Sequence, residues 1–105
     1  MSEKIYNKLI RDKIPQIIEE NNKEYVIEKV NERELSQLLN KKLQEEVDEY
    51  LESEEVEELA DILEVIHGIL DTKNISFKEL EKIRESKKHK RGGFSKGVKL
   101  IKVIE

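Results

Sequence analysis

Cysteine is absent from the 105-residue chain, which excludes disulfides, a thiolate metal site and a cysteine nucleophile. A chain without cysteine suits a reducing compartment, and a cytoplasmic location is expected. No apolar run approaches the roughly 20 residues of a membrane span, and the N-terminus does not read as a signal peptide. A glycine-rich phosphate loop is missing, which excludes the P-loop class of motors and GTPases. Proline occurs once, at Pro15, and aromatic residues make up only 5% of the chain. Hydrophobic residues are also few, 36% against 42% charged. That is a thin core for one domain of this length, so a single domain over residues 1–105 that shares its core with further copies is expected.

What is abundant is charge, and it is segregated. Net charge is only −4, yet Leu43 to Thr72 holds twelve acidic residues and no Lys or Arg. Lys82 to Lys102 holds nine Lys/Arg and one acid, Glu85, and the first thirteen residues add Lys4, Lys8, Arg11 and Lys13. Basic ends around an acidic middle suit either nucleic acid or a polyphosphate held over a metal cluster. The basic C-terminal stretch lacks the interleaved aromatics that stack on bases, and the acidic middle would repel nucleic-acid phosphates without a metal. A nucleic-acid partner is therefore not expected.

Two patterns of one type stand in the acidic middle, Glu46-Val-Asp-Glu49 and Glu58-Leu-Ala-Asp61. Three-residue spacing puts both carboxylates of a pair on one side of a helix. At 100° per residue, Leu35, Leu39, Leu43, Val47 and Tyr50 form the apolar stripe of the first helix, and Glu46 falls in its middle. Glu49 flanks that stripe beside Leu38 and Lys42. On the second helix Leu59, Ile62, Leu63, Val65, Ile66, Ile69 and Leu70 form a wide stripe. Glu58 lies between Val65 and Ile69 in angle, Asp61 at the edge. Asp48 and Glu64 fall on polar faces. An ionised carboxylate on a buried stripe is costly unless it is paired or binds a metal. Clustered carboxylates also raise one another's pKa unless a cation neutralises them. Hard oxygen donors without Cys or paired His suit Mg²⁺, with Mn²⁺ as a substitute. The bland alternative is a charged helical pair whose inward Glu residues meet Lys.

The remaining signals place the elements. Asp12 is a candidate N-cap for a short helix Ile14–Glu20 with Pro15 in its first turn. Glu24 to Val30 alternates β-branched and aromatic residues and predicts a strand. Asn31, with Glu34 in capping-box position, starts a helix over Glu32–Glu52. Ser53 is the expected break and cap before a helix over Glu54–Asp71. Ser76 caps a helix over Phe77–His89, and Gly92-Gly93 ends it. Val98 to Ile104 predicts a second strand, and the two strands could pair as a minor ribbon. The expectation is an all-α bundle, completed by oligomerisation, with that ribbon.

These segments resemble the MazG-like all-α nucleotide pyrophosphohydrolases, a group that includes phosphoribosyl-ATP pyrophosphohydrolase. Lys42-Leu-Gln-Glu-Glu-Val-Asp-Glu-Tyr50 together with Glu57-Glu-Leu-Ala-Asp-Ile-Leu-Glu-Val65 looks like the family's paired ExxE and ExxD metal motif. Asn7-Lys-Leu-Ile-Arg-Asp-Lys-Ile-Pro15 and Lys90-Arg-Gly-Gly-Phe94 look like the N- and C-terminal signatures of a small single-domain branch. Only eight residues separate Glu49 from Glu58, fewer than in many members, so the inter-helix loop is tight. The resemblance implies Mg²⁺-dependent cleavage of a nucleoside triphosphate between the α- and β-phosphates, giving a monophosphate and pyrophosphate, by a homodimer or homotetramer. It implies Glu46, Glu49, Glu58 and Asp61 as metal ligands, with Glu46 at the catalytic centre and Glu45 helping to coordinate metal or orient water. A role in nucleotide-pool house-cleaning goes with this reading; action on phosphoribosyl-ATP in histidine biosynthesis is the alternative within the family.

The other candidates have plainer readings beside the functional one. Arg11 and Lys13 could bind phosphate through the signature match or be a solvated helix start. Lys87, Lys90 and Arg91 could reach phosphates, with Gly92-Gly93 allowing close backbone approach, or be a basic helix end matched to the dipole. Glu45 could equally be a solvated helix edge. Phe94 reads as a core plug rather than a base-stacking ring, and Tyr25 and Tyr50 as packing residues. His67 and His89 have no partner at metal-ligand spacing. From another class altogether comes a non-catalytic helical interaction module, in which Glu46 and Glu58 would pair with Lys or Arg and bind no divalent ion.

Overall fold

A computed structural model describes residues 2–105. It is all-α: α1 Ile14–Glu20, α2 Glu32–Ser53, α3 Val56–Thr72 and α4 Phe77–Arg91. The residues up to Asn74 form one compact unit and Ile75–Glu105 a second.

The first unit is built on α2 and α3, which pack along each other. Asn31 sits in extended conformation before α2, and its side-chain oxygen accepts the Glu34 N–H at 2.8 Å. At the far end Glu54 turns left-handed (φ 57°), and its N–H reaches the Tyr50 carbonyl. Glu54 and Glu55 are the whole connection, so α3 must fold straight back along α2. The expected second helix at Glu54 therefore starts at Val56 instead. Ser53 ends α2 rather than capping α3, although its Oγ accepts the Glu55 N–H at 3.2 Å. Hairpin packing brings the stripes together: among the described residues Leu39, Val65 and Leu70 are the buried apolar ones. Gly68 lets Leu39 come close, since a Cβ there would stand 2.9 Å from Leu39 Cδ2.

α1 begins without the expected cap. Lys13, not Asp12, holds the N-cap position and makes no side-chain cap bond. Backbone does the work instead: the Arg11 carbonyl accepts from Ile14 N–H and the Lys13 carbonyl from Ile17 N–H, each at 3.1 Å. Pro15 adds a pre-set φ and no orphan donor.

Neither expected strand forms. Residues 24–30 and 98–104 carry no regular structure, and no strand occurs among the described residues. A strand exists through its ladder, and β propensity is realised only against a paired neighbour. Val26 is 100% exposed, and Val98, Leu100, Ile101, Val103 and Ile104 are all largely open. Phe94 is 99% exposed and plugs no core.

The second unit is α4 and the tail after it. Ser76 Oγ accepts the Glu79 N–H at 3.1 Å, and Lys88, His89, Lys90 and Arg91 fill the last turn, where the dipole favours cations. Gly92 leaves the helix at φ 83°. No α4 residue is buried; Arg84 grips Glu81 through both carboxylate oxygens.

Candidate metal centre

Glu46 sits seven residues beyond Leu39 on α2 and shares its inward stripe. The backbone of a helix has no other place to point it, so the fold buries it: Glu46 is 8% exposed. The hairpin then sets α3 opposite. Leu39 meets Gly68, and one further stretch along α2 Glu46 meets Asp61 and Glu58, one turn apart on α3. Carboxylate oxygens of Glu46, Glu58 and Asp61 all lie within 4.8 Å of one another.

The electrostatics follow from that crowding. Burial pushes the Glu46 pKa up, and the neighbouring Glu49 and Asp61 charges push the same way, while Lys42 pulls it down. Lys42 Nζ lies 3.6 Å from Glu46 Oε1. The other oxygen, Oε2, is buried with no hydrogen-bond partner. Desolvation also raises Glu58, again with Glu49 and Asp61 adding repulsion. Glu58 makes no ion pair among the described residues. Asp61 Oδ1 accepts from Arg11 Nη2 at 2.8 Å.

The donor set fits a hard divalent cation. It is all carboxylate oxygen, as Mg²⁺ and Mn²⁺ prefer. The three acids stand near enough to share one ion, with side-chain movement drawing their oxygens closer together around it. The buried, donorless Glu46 Oε2 is the atom most in need of one.

The sequence-predicted residues divide as follows. Glu46, Glu58 and Asp61 come together. Glu49 is exposed and lies outside the group, though close enough to raise both Glu46 and Glu58. Glu45 pairs with Lys42 at 3.9 Å rather than reaching into the cluster. Arg11 is at the centre, but on a carboxylate. Lys13 is exposed at the start of α1. Lys87, Lys90 and Arg91 share one face of α4 with Lys82, Ile83 and Ser86. Lys42 was missed as a site residue, although its position four residues before Glu46 was a readable signal. The Arg11–Asp61 contact joins positions fifty residues apart, and no local pattern announces it. Comparison of the chain with protein-family models, with curated proteins and with solved structures found no match.

Proposed function

We propose that this protein is a Mg²⁺-dependent nucleotide pyrophosphohydrolase, cleaving a nucleoside triphosphate between the α- and β-phosphates to a monophosphate and pyrophosphate. The supporting observation is the carboxylate group itself: three acids from two helices, one of them buried with an unpartnered oxygen. Such a group is unfavourable without a cation. The chemistry a divalent ion would supply there is neutralisation of charge developing on the phosphates and a lowered pKa for the attacking water. Glu46, Glu58 and Asp61 would hold it, with Glu49 near enough to join. The chain's own contribution is to present these oxygens on a rigid hairpin and to keep Glu46 away from water. Glu45, paired with Lys42 at the cluster's edge, would act only indirectly, by orienting a water. Basic residues at Arg11 and Lys13, and at Lys87, Lys90 and Arg91, suit the anionic substrate. Nucleotide-pool house-cleaning in the cytoplasm is the setting we favour over phosphoribosyl-ATP hydrolysis.

The working form is a homodimer or homotetramer. α3 leaves Leu59 and Leu63 more than two-fifths exposed and Val56 77% exposed, as expected of a stripe wider than one helix covers. The deciding assay is a panel of nucleotides with Mg²⁺, scored for pyrophosphate. Release from at least one, abolished by chelator, is the expected result. The Lys42–Glu46 and Arg11–Asp61 pairs also favour a second reading, a non-catalytic interaction module. No pyrophosphate from any nucleotide, together with no divalent binding, would select that module.

A further inference from the structure

We propose that Arg11 is a built-in counter-cation of the carboxylate group, and that a divalent ion entering between Glu46, Glu58 and Asp61 displaces its guanidinium from Asp61 and hands it to the substrate. This rests on the metal reading above. Arg11 Nη2 stands 2.8 Å from Asp61 Oδ1, and Asp61 is one of the three acids whose oxygens converge. A guanidinium and a divalent ion would therefore be two cations on one carboxylate, and like charges at that distance repel.

The two basic partners of the site differ in how easily they leave. Lys42 is on the same helix as Glu46, one turn away, and its side chain is only 20% exposed. It stays wherever α2 stays. Arg11 is 57% exposed and belongs to the segment before α1, which carries no regular secondary structure there. Its release breaks no helix and uncovers no core. The charges also favour exchange. Glu46, Glu49, Glu58 and Asp61 repel one another, and Lys42 and Arg11 offset only part of that. The guanidinium touches one of the three converging acids, whereas an ion at their centre would touch all of them. The ion therefore prevails at Asp61. Arg11 is left tethered beside a newly cationic site, where its planar fork matches the oxygens of a polyphosphate. In the metal-free protein Arg11 steadies the acids; in the loaded one it grips substrate.

The test needs no turnover. Mn²⁺ binding is measured without nucleotide, by the electron paramagnetic resonance of the free ion, for wild type, Arg11→Met, Arg11→Lys and Glu46→Gln. Arg11→Met should bind Mn²⁺ about three- to tenfold tighter than wild type, since a competing exposed ion pair is removed. With saturating Mn²⁺, its affinity for a non-hydrolysable triphosphate analogue should fall about tenfold. Arg11→Lys should keep near-wild-type Mn²⁺ affinity and lose part of the nucleotide affinity. Mn²⁺ affinity that is unchanged or weaker in Arg11→Met would overturn the exchange, because Arg11 would then be a bystander or a support for Asp61. Unchanged nucleotide affinity would overturn the hand-over. Wild type binding Mn²⁺ no better than Glu46→Gln would bring down the metal reading and this inference together; loss in Glu46→Gln alone, with Arg11→Met matching wild type, brings down only the exchange. Should Arg11→Met lose helix content, wild type labelled with ¹⁵N-arginine decides. The Arg11 Nε–H resonance must move in step with added Mg²⁺, and a stationary one refutes the exchange.

Discussion

Glu46 concentrates the argument at the residue scale. It is an acid on an apolar stripe, and burial together with its acidic neighbours raises its pKa. Substituting Glu46→Gln, Glu58→Gln or Asp61→Asn keeps the shape but removes a charge from the proposed ligand set. Each should lower kcat/KM for pyrophosphate release by about 100-fold or more with the helices intact by circular dichroism. Asp48→Asn and Glu64→Gln are the controls. Both positions are exposed, and Asp48 is occupied with Gln44 on the outer face. Their activity should stay within about twofold of wild type, since exposed sites outside the converging acids are nearly neutral. Controls as damaged as the triad variants would mean a diffuse charge effect. The same raised pKa values set a pH dependence. A carboxyl whose folded pKa lies above its unfolded one binds its proton more tightly when folded, so the metal-free protein gains stability as pH falls from the raised values toward the ordinary 4.5. Glu81, lowered by Arg84, works in the opposite sense at lower pH. Thermal melting in chelator should thus show a higher midpoint near pH 5 than at pH 7, and Glu46→Gln should flatten the difference. A midpoint that drops on acidification through that window would contradict it.

The element that matters most is the α2–α3 hairpin, and its turn and its waist are both open to test. Glu54 takes a left-handed conformation that a β-carbon disfavours. Glu54→Gly should therefore stabilise the fold, by about 0.5–1 kcal/mol after the entropy cost of glycine in the unfolded chain. At the waist Leu39 is 7% exposed and lies against Gly68. Leu39→Ala should cost about 2–5 kcal/mol, and Gly68→Val about 1–3 kcal/mol through overpacking. Urea denaturation measures all three. A neutral Gly68→Val would show that the Leu39 side chain yields by turning aside, so that the waist is not tightly packed.

At the scale of the whole molecule the mismatch is between apolar surface and core. Among the described residues three apolar ones are buried, while Leu51, Val56, Val98, Ile101 and Ile104 remain mostly open. Sedimentation at micromolar concentration should show a dimer or larger, and a compact, stable monomer would refute shared-core assembly. On the proposed metal reading, a divalent ion would act at the same scale, by mass action on the native state. Saturation to a hundredfold above Kd should add about 2.7 kcal/mol, read as a rise in midpoint with Mg²⁺ over chelator at matched ionic strength. Equal midpoints would favour the interaction module.

Helix positions were legible locally because periodicity, Asn31, Ser76 and Gly92 are short-range signals, and each sits where the chain begins or ends a helix. The inward turn of Glu46 was legible too, since a helical wheel alone puts it among Leu39 and Tyr50. The strands were misjudged because propensity describes a residue, whereas a strand requires a second one beside it. Asp12 gave way to Lys13 because backbone carbonyls met the donors a side chain was expected to meet. What no local pattern contains is distance across the chain. The two-residue turn at Glu54 and Glu55 decided which acids of α3 face Glu46, leaving Glu49 outside the converging three. Only the path of the segment before α1 brought Arg11 to Asp61. The sequence by itself determined the helices and their charged, inward faces, through rules that act within a few residues. The tertiary structure decided which charges meet, because Coulomb's law acts on separation in space and not along the chain.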